Sequence, residues 1–210
     1  MEKVLQMNQP NPPTVSDCVI LAGGLGTRMG QPKALLKLDG ITLLKRQYDQ
    51  LSPLFPRISV ALKDRSLLDS VEDLSWHQVL LDPPESRCLV DVIGSIVERL
   101  AVPVFFAAVD LPLLNSATVS TICSHHSPGI SVIPVDDHRP QPLAAVWDPS
   151  ALEFASPPDG DLALLAWVKR SSTRLLQWPD HFPPASDPPT QSPFKNFNTP
   201  TDLDSWRPLA

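Results

Sequence analysis

Short apolar runs alternate with longer apolar stripes along this chain. Asp17–Leu21 reads as a buried strand and is ended by glycines. Leu35, Leu36 and Leu38, before Asp39-Gly40, predict a short extended piece and a turn. Leu43, Leu44, Tyr48 and Leu51 recur near helical spacing, and Pro53 stops that helix. Ile58–Leu62 predicts a second strand, Leu67, Leu68 and Val71 a short helix, and Val79–Asp82 a third strand closed by Pro83-Pro84. The stripe Leu89, Val90, Val92, Ile93, Ile96, Val97 and Leu100 predicts an amphipathic helix with a wide apolar face. Val104–Val109 is a continuous apolar run, as expected of a central parallel strand, and it ends at Asp110. Asn115 is placed to cap the next helix, which carries Val119 and Ile122. Strands are predicted at Ile130–Val135, Leu143–Trp147 and Thr173–Trp178, with a helix over Asp161–Lys169.

This alternation implies βαβ units. The fold class expected is α/β, a Rossmann-like three-layer α/β/α arrangement around a mostly parallel sheet. At 210 residues the chain suits one domain, expected over 17–210. Residues 1–16 are polar and proline-bearing with no hydrophobic signal core, and predict a disordered leader. Residues 179–193 hold six prolines and predict a loop within the domain.

Charge and cysteine content narrow the function. A net charge of −6 argues against nucleic acid as the main partner, while leaving room for a local cation cluster that binds a small anion. Cys18, Cys88 and Cys123 are widely spaced with no CxxC pair, which suits a reducing cytoplasm and indicates neither a zinc site nor a disulfide framework. The longest apolar stretch, 102–109 with Pro103 inside it, is too short to span a bilayer, so no membrane partner is expected.

The candidate chemistry lies in Leu21–Lys33, LAGGLGTRMGQPK. The spacing Gly23-Gly24-x-Gly26-x-x-x-Gly30 lacks the third glycine of the dinucleotide fingerprint, since Met29 stands there. Lys33 is followed by Ala34, so it is not a Walker A loop either. A glycine-rich turn after a first parallel strand still lets backbone N–H groups approach an anion, and Arg28 and Lys33 would add charge. Arginine suits bidentate phosphate contact and lysine acts as a mobile point charge. Asp110, closing the central strand on the same edge, is placed to hold Mg²⁺ through a carboxylate together with substrate phosphates and water. Asp82 ends a strand on that edge too, and could bind a ligand hydroxyl, a second metal oxygen or nothing.

LAGGLGTRMGQPKALLKLDG resembles the N-terminal signature of nucleotidyltransferases with the nucleotide-diphospho-sugar transferase fold, and within them the molybdenum cofactor guanylyltransferase family. Val109–Leu113 (VDLPL), Gln141–Trp147 (QPLAAVW) and Phe194–Leu203 (FKNFNTPTDL) agree in order, so the resemblance spans about residues 17–206. It implies transfer of GMP from GTP to the terminal phosphate of molybdenum-carrying molybdopterin, with Mg²⁺ and release of pyrophosphate. The recipients would be molybdoenzymes or their chaperones. It implies that Leu21, Ala22, Gly23 and Gly24 form the nucleotide-binding loop, and that Lys33 binds phosphate. Asp82 would contact the nucleotide, Asp110 would bind Mg²⁺, and Asn196 and Asn198 would lie on the pterin side.

Two stretches depart from that family. Ala61-Leu62-Lys63 stands where an asparagine is frequent, and Arg87-Cys88-Leu89-Val90-Asp91 stands where a G-P-L-x-G turn is frequent. Both lie near the nucleotide in the family, and Arg87 is a cation that could reach a phosphate. A phosphate nucleophile is already ionised near neutral pH, so the chemistry asks for positioning and charge stabilisation and not for a catalytic histidine. The rival readings are a cytidylyltransferase or sugar-phosphate nucleotidyltransferase of the same fold, and a non-catalytic nucleotide or cofactor carrier.

Overall fold

A computed structural model of the protein describes residues 15–23, 31–63, 65, 67, 74–156, 160–182, 191–197 and 202. Asp17–Leu21 (β1) is fully paired on both sides: Leu21 lies opposite Ala61 of Arg57–Leu62 (β4) and Ala108 of Val104–Ala108 (β6), all three strands parallel. Between β1 and β4 run the small hairpin Lys37–Leu38 (β2) with Ile41–Thr42 (β3) and the helix Leu43–Leu51 (α1). Thr42 caps α1 by accepting from the Lys45 amide. Val79–Leu81 (β5) adds to the far side of β4, and Leu89–Leu100 (α2) then carries the chain back to β6.

The second half is mixed. Helix Ser116–Ser124 (α3), capped by Asn115 as expected, leads to Ser131–Asp136 (β7) and a short partner Arg139–Pro140 (β8). Ala144–Trp147 (β9) inserts antiparallel between β6 and β7. Helix Leu164–Arg170 (α4) and Thr173–Gln177 (β10) complete the sheet, with β10 parallel to β7. The main path is β10-β7-β9-β6-β1-β4-β5, and only β8 and β9 run against the rest.

Strand side chains alternate between two apolar layers, which is why the strands read as unbroken hydrophobic runs. Cys18, Ile20, Phe105 and Ala107 face α1 and α3, while Val19, Val104 and Phe106 face α2, α4 and the 3-10 segment Pro149–Phe154. Trp147 stacks on Trp167 at 4.1 Å in the second layer, each indole donating to a backbone carbonyl. Three layers and a mostly parallel sheet are therefore borne out.

Several boundaries move. The extended piece and turn expected around Leu36, Leu38 and Asp39-Gly40 are present as β2 and the turn after it, with Leu35 taken by a 3-10 turn over Lys33–Leu35, and the helix expected from Asp161 begins at Leu164, where Ala163 takes the N-cap position. The helix expected around Leu67–Val71 falls largely outside the described residues, as do residues 183–190 of the proline-rich stretch. Val15 and Ser16, assigned to the leader, are packed: Val15 is buried and the Ser16 carbonyl accepts from Arg57. Residues 1–14 lie outside the described residues.

Candidate functional site

The chain leaves β1 toward β4 and β5 on one side, then returns to lay β6 on the other. Strand order therefore reverses between β1 and β6, and the carboxyl ends of such strands frame a crevice. Pairing continues past the strands: the Ala22 amide donates to Ala61 O (2.8 Å), the Val109 amide to Leu21 O (3.1 Å) and the Asp82 amide to Leu62 O (2.9 Å). Leu21, Ala22 and Asp82 are thus held by backbone bonds. Gly23 follows in close quarters. A Cβ there would lie 3.2 Å from Lys63 N and 3.3 Å from Asp82 Oδ2, so only hydrogen fits without displacement.

Lys33 and Asp110 meet at the switch point. Pro32 precedes the 3-10 turn that starts at Lys33, and Lys33 Nζ lies 2.6 Å from Asp110 Oδ2, their side chains 21% and 16% exposed. The loop carrying Asp110 is pinned from three directions. Leu111 donates to Ala108 O, the Phe197 amide donates to Asp110 O at 2.9 Å, and Gln47 Nε2 donates to Leu111 O at 2.5 Å. Gln47 is fully buried on α1, so a polar side chain inside the core reaches out to fix the loop.

Beyond this pair the crevice opens into a cavity of about 350 Å³ that runs along the ends of β6, β1, β4 and β5. Leu21, Gly23, Lys33, Lys63, Asp82, Arg87 and Asp110 line it, with Ser86, Cys88, Leu89 and Val92 from the start of α2. Burial pushes the Asp82 carboxyl above the usual carboxylate range, against the opposing pull of the Lys63 ammonium. The turn into α2 is held by Asp91, whose carboxylate accepts from the Arg87 amide (2.7 Å) and the Cys88 amide (3.3 Å).

Lys33, Asp82, Asp110, Leu21 and Gly23 therefore share one cavity, with Ala22 anchored beside it. Asn196 is exposed, next to the buried Phe197 whose amide holds Asp110. Gly24, Arg28 and Asn198 lie outside the described residues. Arg87, named from the sequence as a cation that could reach a phosphate, lines the cavity, and Lys63 and Ser86 join it without having been singled out as ligands. The two departures from the family pattern, which hold Lys63 and Arg87, both land on the cavity wall, while Ser86 carried no signal. Gln47 carried no signal, since a glutamine on a helix is ordinarily solvated.

Mg²⁺ binds through one or two carboxylates plus phosphate oxygens and water. Asp110 supplies one carboxylate, and among the described residues no group of three or more His, Cys, Asp or Glu could form a protein cage. That donor set suits an ion arriving with substrate phosphates. The histidine pair is elsewhere: His125 Nδ1 lies against Thr121 O, and His126 is buried with Nε2 3.0 Å from Asp148.

The crevice lies at a switch point, where open α/β sheets bind ligands, and it is bordered by the cations Lys33, Lys63 and Arg87. The fold and the site thus define a nucleotidyltransferase. Residues 18–174 match the MobA-like NTP transferase domain, and the chain belongs to that family. It is 26% identical to a probable molybdenum cofactor guanylyltransferase of Aquifex aeolicus (strain VF5), over 90% of this chain and 89% of the relative. It is 26% identical to the molybdenum cofactor guanylyltransferase of Rhizobium meliloti (strain 1021), over 95% of each. Among solved structures it superposes on molybdopterin-guanine dinucleotide biosynthesis protein A from Archaeoglobus fulgidus with a TM-score of 0.68, covering 90% of this chain and 95% of that one at 20% identity. It superposes on a nucleotidyl transferase from Methanothermobacter thermautotroptrophicus with a TM-score of 0.67 and 20% identity, covering 89% of this chain and 93% of that one. No helix among the described residues is long and apolar enough to cross a membrane.

Proposed function

We propose that this protein transfers GMP from GTP to the terminal phosphate of molybdenum-carrying molybdopterin, forming the guanine dinucleotide and pyrophosphate. The observation that carries the reading is the meeting of Lys33 and Asp110 at the switch point, on the wall of a cavity of about 350 Å³. The names and coverage of the relatives supply the guanine and the pterin.

In the reaction an ionised oxygen of the pterin phosphate attacks the α-phosphorus of GTP. The bond from that phosphorus to the β-phosphate bridging oxygen breaks, and the electron pair leaves with pyrophosphate. No proton must be removed from the nucleophile near neutral pH, so no general base is required. Negative charge builds on the equatorial oxygens and on the leaving group. Lys33 meets it as a point charge, and Arg28 is assigned the same task from the glycine loop. The loop after β1, with Leu21, Ala22, Gly23 and Gly24, aligns the nucleotide by backbone contact, and Gly23 brings the backbone close to Lys63 and Asp82. Mg²⁺ on Asp110 supplies neutralisation of phosphate charge when bound. Asn196 and Asn198 take the pterin side, where amide groups offer paired donors and acceptors. The product passes to a molybdoenzyme or its chaperone, and the reaction is placed in the cytoplasm.

Competition among equal concentrations of GTP, CTP and ATP tests this, with metal-loaded molybdopterin as acceptor and products resolved by mass. The expected result is mainly guanylylated pterin. Mainly cytidylylated pterin would move the protein to the cytidylyltransferases.

A further inference from the structure

Residues 192–197 cross the site's edge of the sheet without belonging to a strand or a helix. They join two strand ends. Strand β9 is antiparallel to both β6 and β7, so β7 runs in the same direction as β6, and its last residue, Asp136, lies on the edge that carries Asp110. The two ends are two strand spacings of about 4.8 Å apart, roughly 10 Å in all. At the β7 end Ser192 Oγ donates to Asp136 Oδ2 at 2.5 Å. At the β6 end the Phe197 amide donates to Asp110 O at 2.9 Å. Ser192 also winds the segment into a turn: its hydroxyl accepts from the Phe194 amide (3.1 Å) and its carbonyl from the Lys195 amide (3.3 Å). Phe194 packs edge-on against Trp178 and Phe182, with centroids 6.1 and 5.9 Å away, and Phe197 is buried.

Apolar contact holds the two phenyl rings but has no direction. A hydroxyl bonded to a carboxylate is directional and charge-assisted, so it sets where the segment sits along the edge. What it sets matters to the site, because Phe197 is tied to the main chain of Asp110 and its neighbour Asn196 is assigned to the acceptor. We infer that Asp136 and Ser192 are positioning residues of the transfer reaction. Their bond latches residues 192–197 so that the Phe197 amide holds the Asp110 loop and Asn196 meets the acceptor in one register. This deepens the guanylyltransferase reading and rests on it. Neither Asp136 nor Ser192 is among the residues lining the nucleotide cavity, so the latch acts on the Asp110 loop and the acceptor side and not on GTP binding. Ser192 closes the proline-rich stretch that composition marks only as a loop.

Transfer kinetics and exchange of the Phe197 amide, followed by NMR, are compared in the wild type, Ser192→Ala, Ser192→Thr, Asp136→Ala and the Ser192→Ala/Asp136→Ala double variant. Thermal unfolding is the control for folding. Ser192→Ala and Asp136→Ala are each expected to lower kcat on the order of tenfold, as for a lost hydrogen bond to a charged group. Both should raise KM for metal-loaded molybdopterin and leave KM for GTP unchanged. The Phe197 amide should exchange on the order of tenfold faster in each. The double variant should be no slower than the slower single one, because both changes remove the same bond. Ser192→Thr keeps the hydroxyl and should recover the wild-type values. Faster exchange with unchanged kcat would make the latch structural only and overturn the proposal. Unchanged exchange in folded variants, or a loss confined to KM for GTP, would overturn it as well. With GMP transfer intact in the wild type, those outcomes leave the guanylyltransferase reading standing, whereas a wild type that transfers no GMP overturns both.

Discussion

Lys33 and Asp110 form a part-buried ion pair at the carboxyl ends of central strands, so removing one partner leaves the other charge uncompensated. A charge placed where transition-state charge develops is worth about 10²–10³-fold in rate for one donor. Stability and kinetics are therefore read separately at this position. Lys33→Ala should weaken GTP binding and slow transfer together, because a lysine meets the phosphates in both ground and transition states. A shift in stability without a change in either kinetic parameter would make the pair structural. Both residues were legible in the sequence, since one follows a glycine turn and the other closes an apolar run. Their contact was not legible, because 77 residues separate them and only the reversal of strand order brings the two loops together.

At the scale of elements, backbone pairing and close packing shape the crevice. Gly23 sits against Lys63 and Asp82 so closely that a Cβ would lie 3.2 Å from Lys63 N and 3.3 Å from Asp82 Oδ2. Gly23→Ala should cost about 1–3 kcal/mol of stability as an overpacking change and should weaken GTP binding by moving the β4 and β5 ends. Chemical denaturation and a GTP titration check the two effects, and a variant that matches the wild type in both would mean that the loop yields freely. Gln47→Leu tests a second element contact. It removes the bond that ties α1 to the Leu111 carbonyl, which keeps only the Leu114 amide as donor, at about 1 kcal/mol. The expected kinetic signature is a fall in kcat, with KM for GTP little changed, because Asp110 is held less firmly. The strands and the long helices were legible from periodicity: β1, α1 and α2 begin and end where the apolar pattern does. The extended piece before Asp39-Gly40 was legible too, as β2, but the 3-10 turn over Lys33–Leu35 was not, because three residues are too few to show a period. The late start of α4 was not either, because Asp161 accepts from the Ala163 amide and mimics a cap two residues early.

For the whole molecule, the site is one edge of the sheet and the opposite edge is a separate matter of stability. Near that opposite edge burial tends to raise the Asp148 carboxyl, but hydrogen bonds from Ser150, His126 and the Gly129 amide hold it below the usual carboxylate range. A carboxylate depressed in the folded state contributes stability that is present above its unfolded pKa of about 3.9 and is lost as pH falls through the folded value. Denaturation midpoints of Asp148→Asn should therefore fall less steeply than those of the wild type as pH drops below about 4. Parallel curves for the two proteins would remove the linkage. An overall charge of −6 coexists with a cavity bordered by Lys33, Lys63 and Arg87, which is how an acidic protein can take an anionic substrate. Fold class followed from the alternation of elements. The cavity lining did not, because it depends on which strand ends become neighbours.

Release of pyrophosphate from GTP tests the central claim most directly. It is measured with and without metal-loaded molybdopterin, with and without Mg²⁺, for the wild type and for Asp110→Asn. The predicted result is release in the wild type that requires both the acceptor and Mg²⁺, equals the dinucleotide formed, and falls by at least about 10²-fold in a folded Asp110→Asn variant. Acceptor-dependent release at near wild-type rate from Asp110→Asn, or no release by the wild type in the presence of GTP, Mg²⁺ and acceptor, would contradict it.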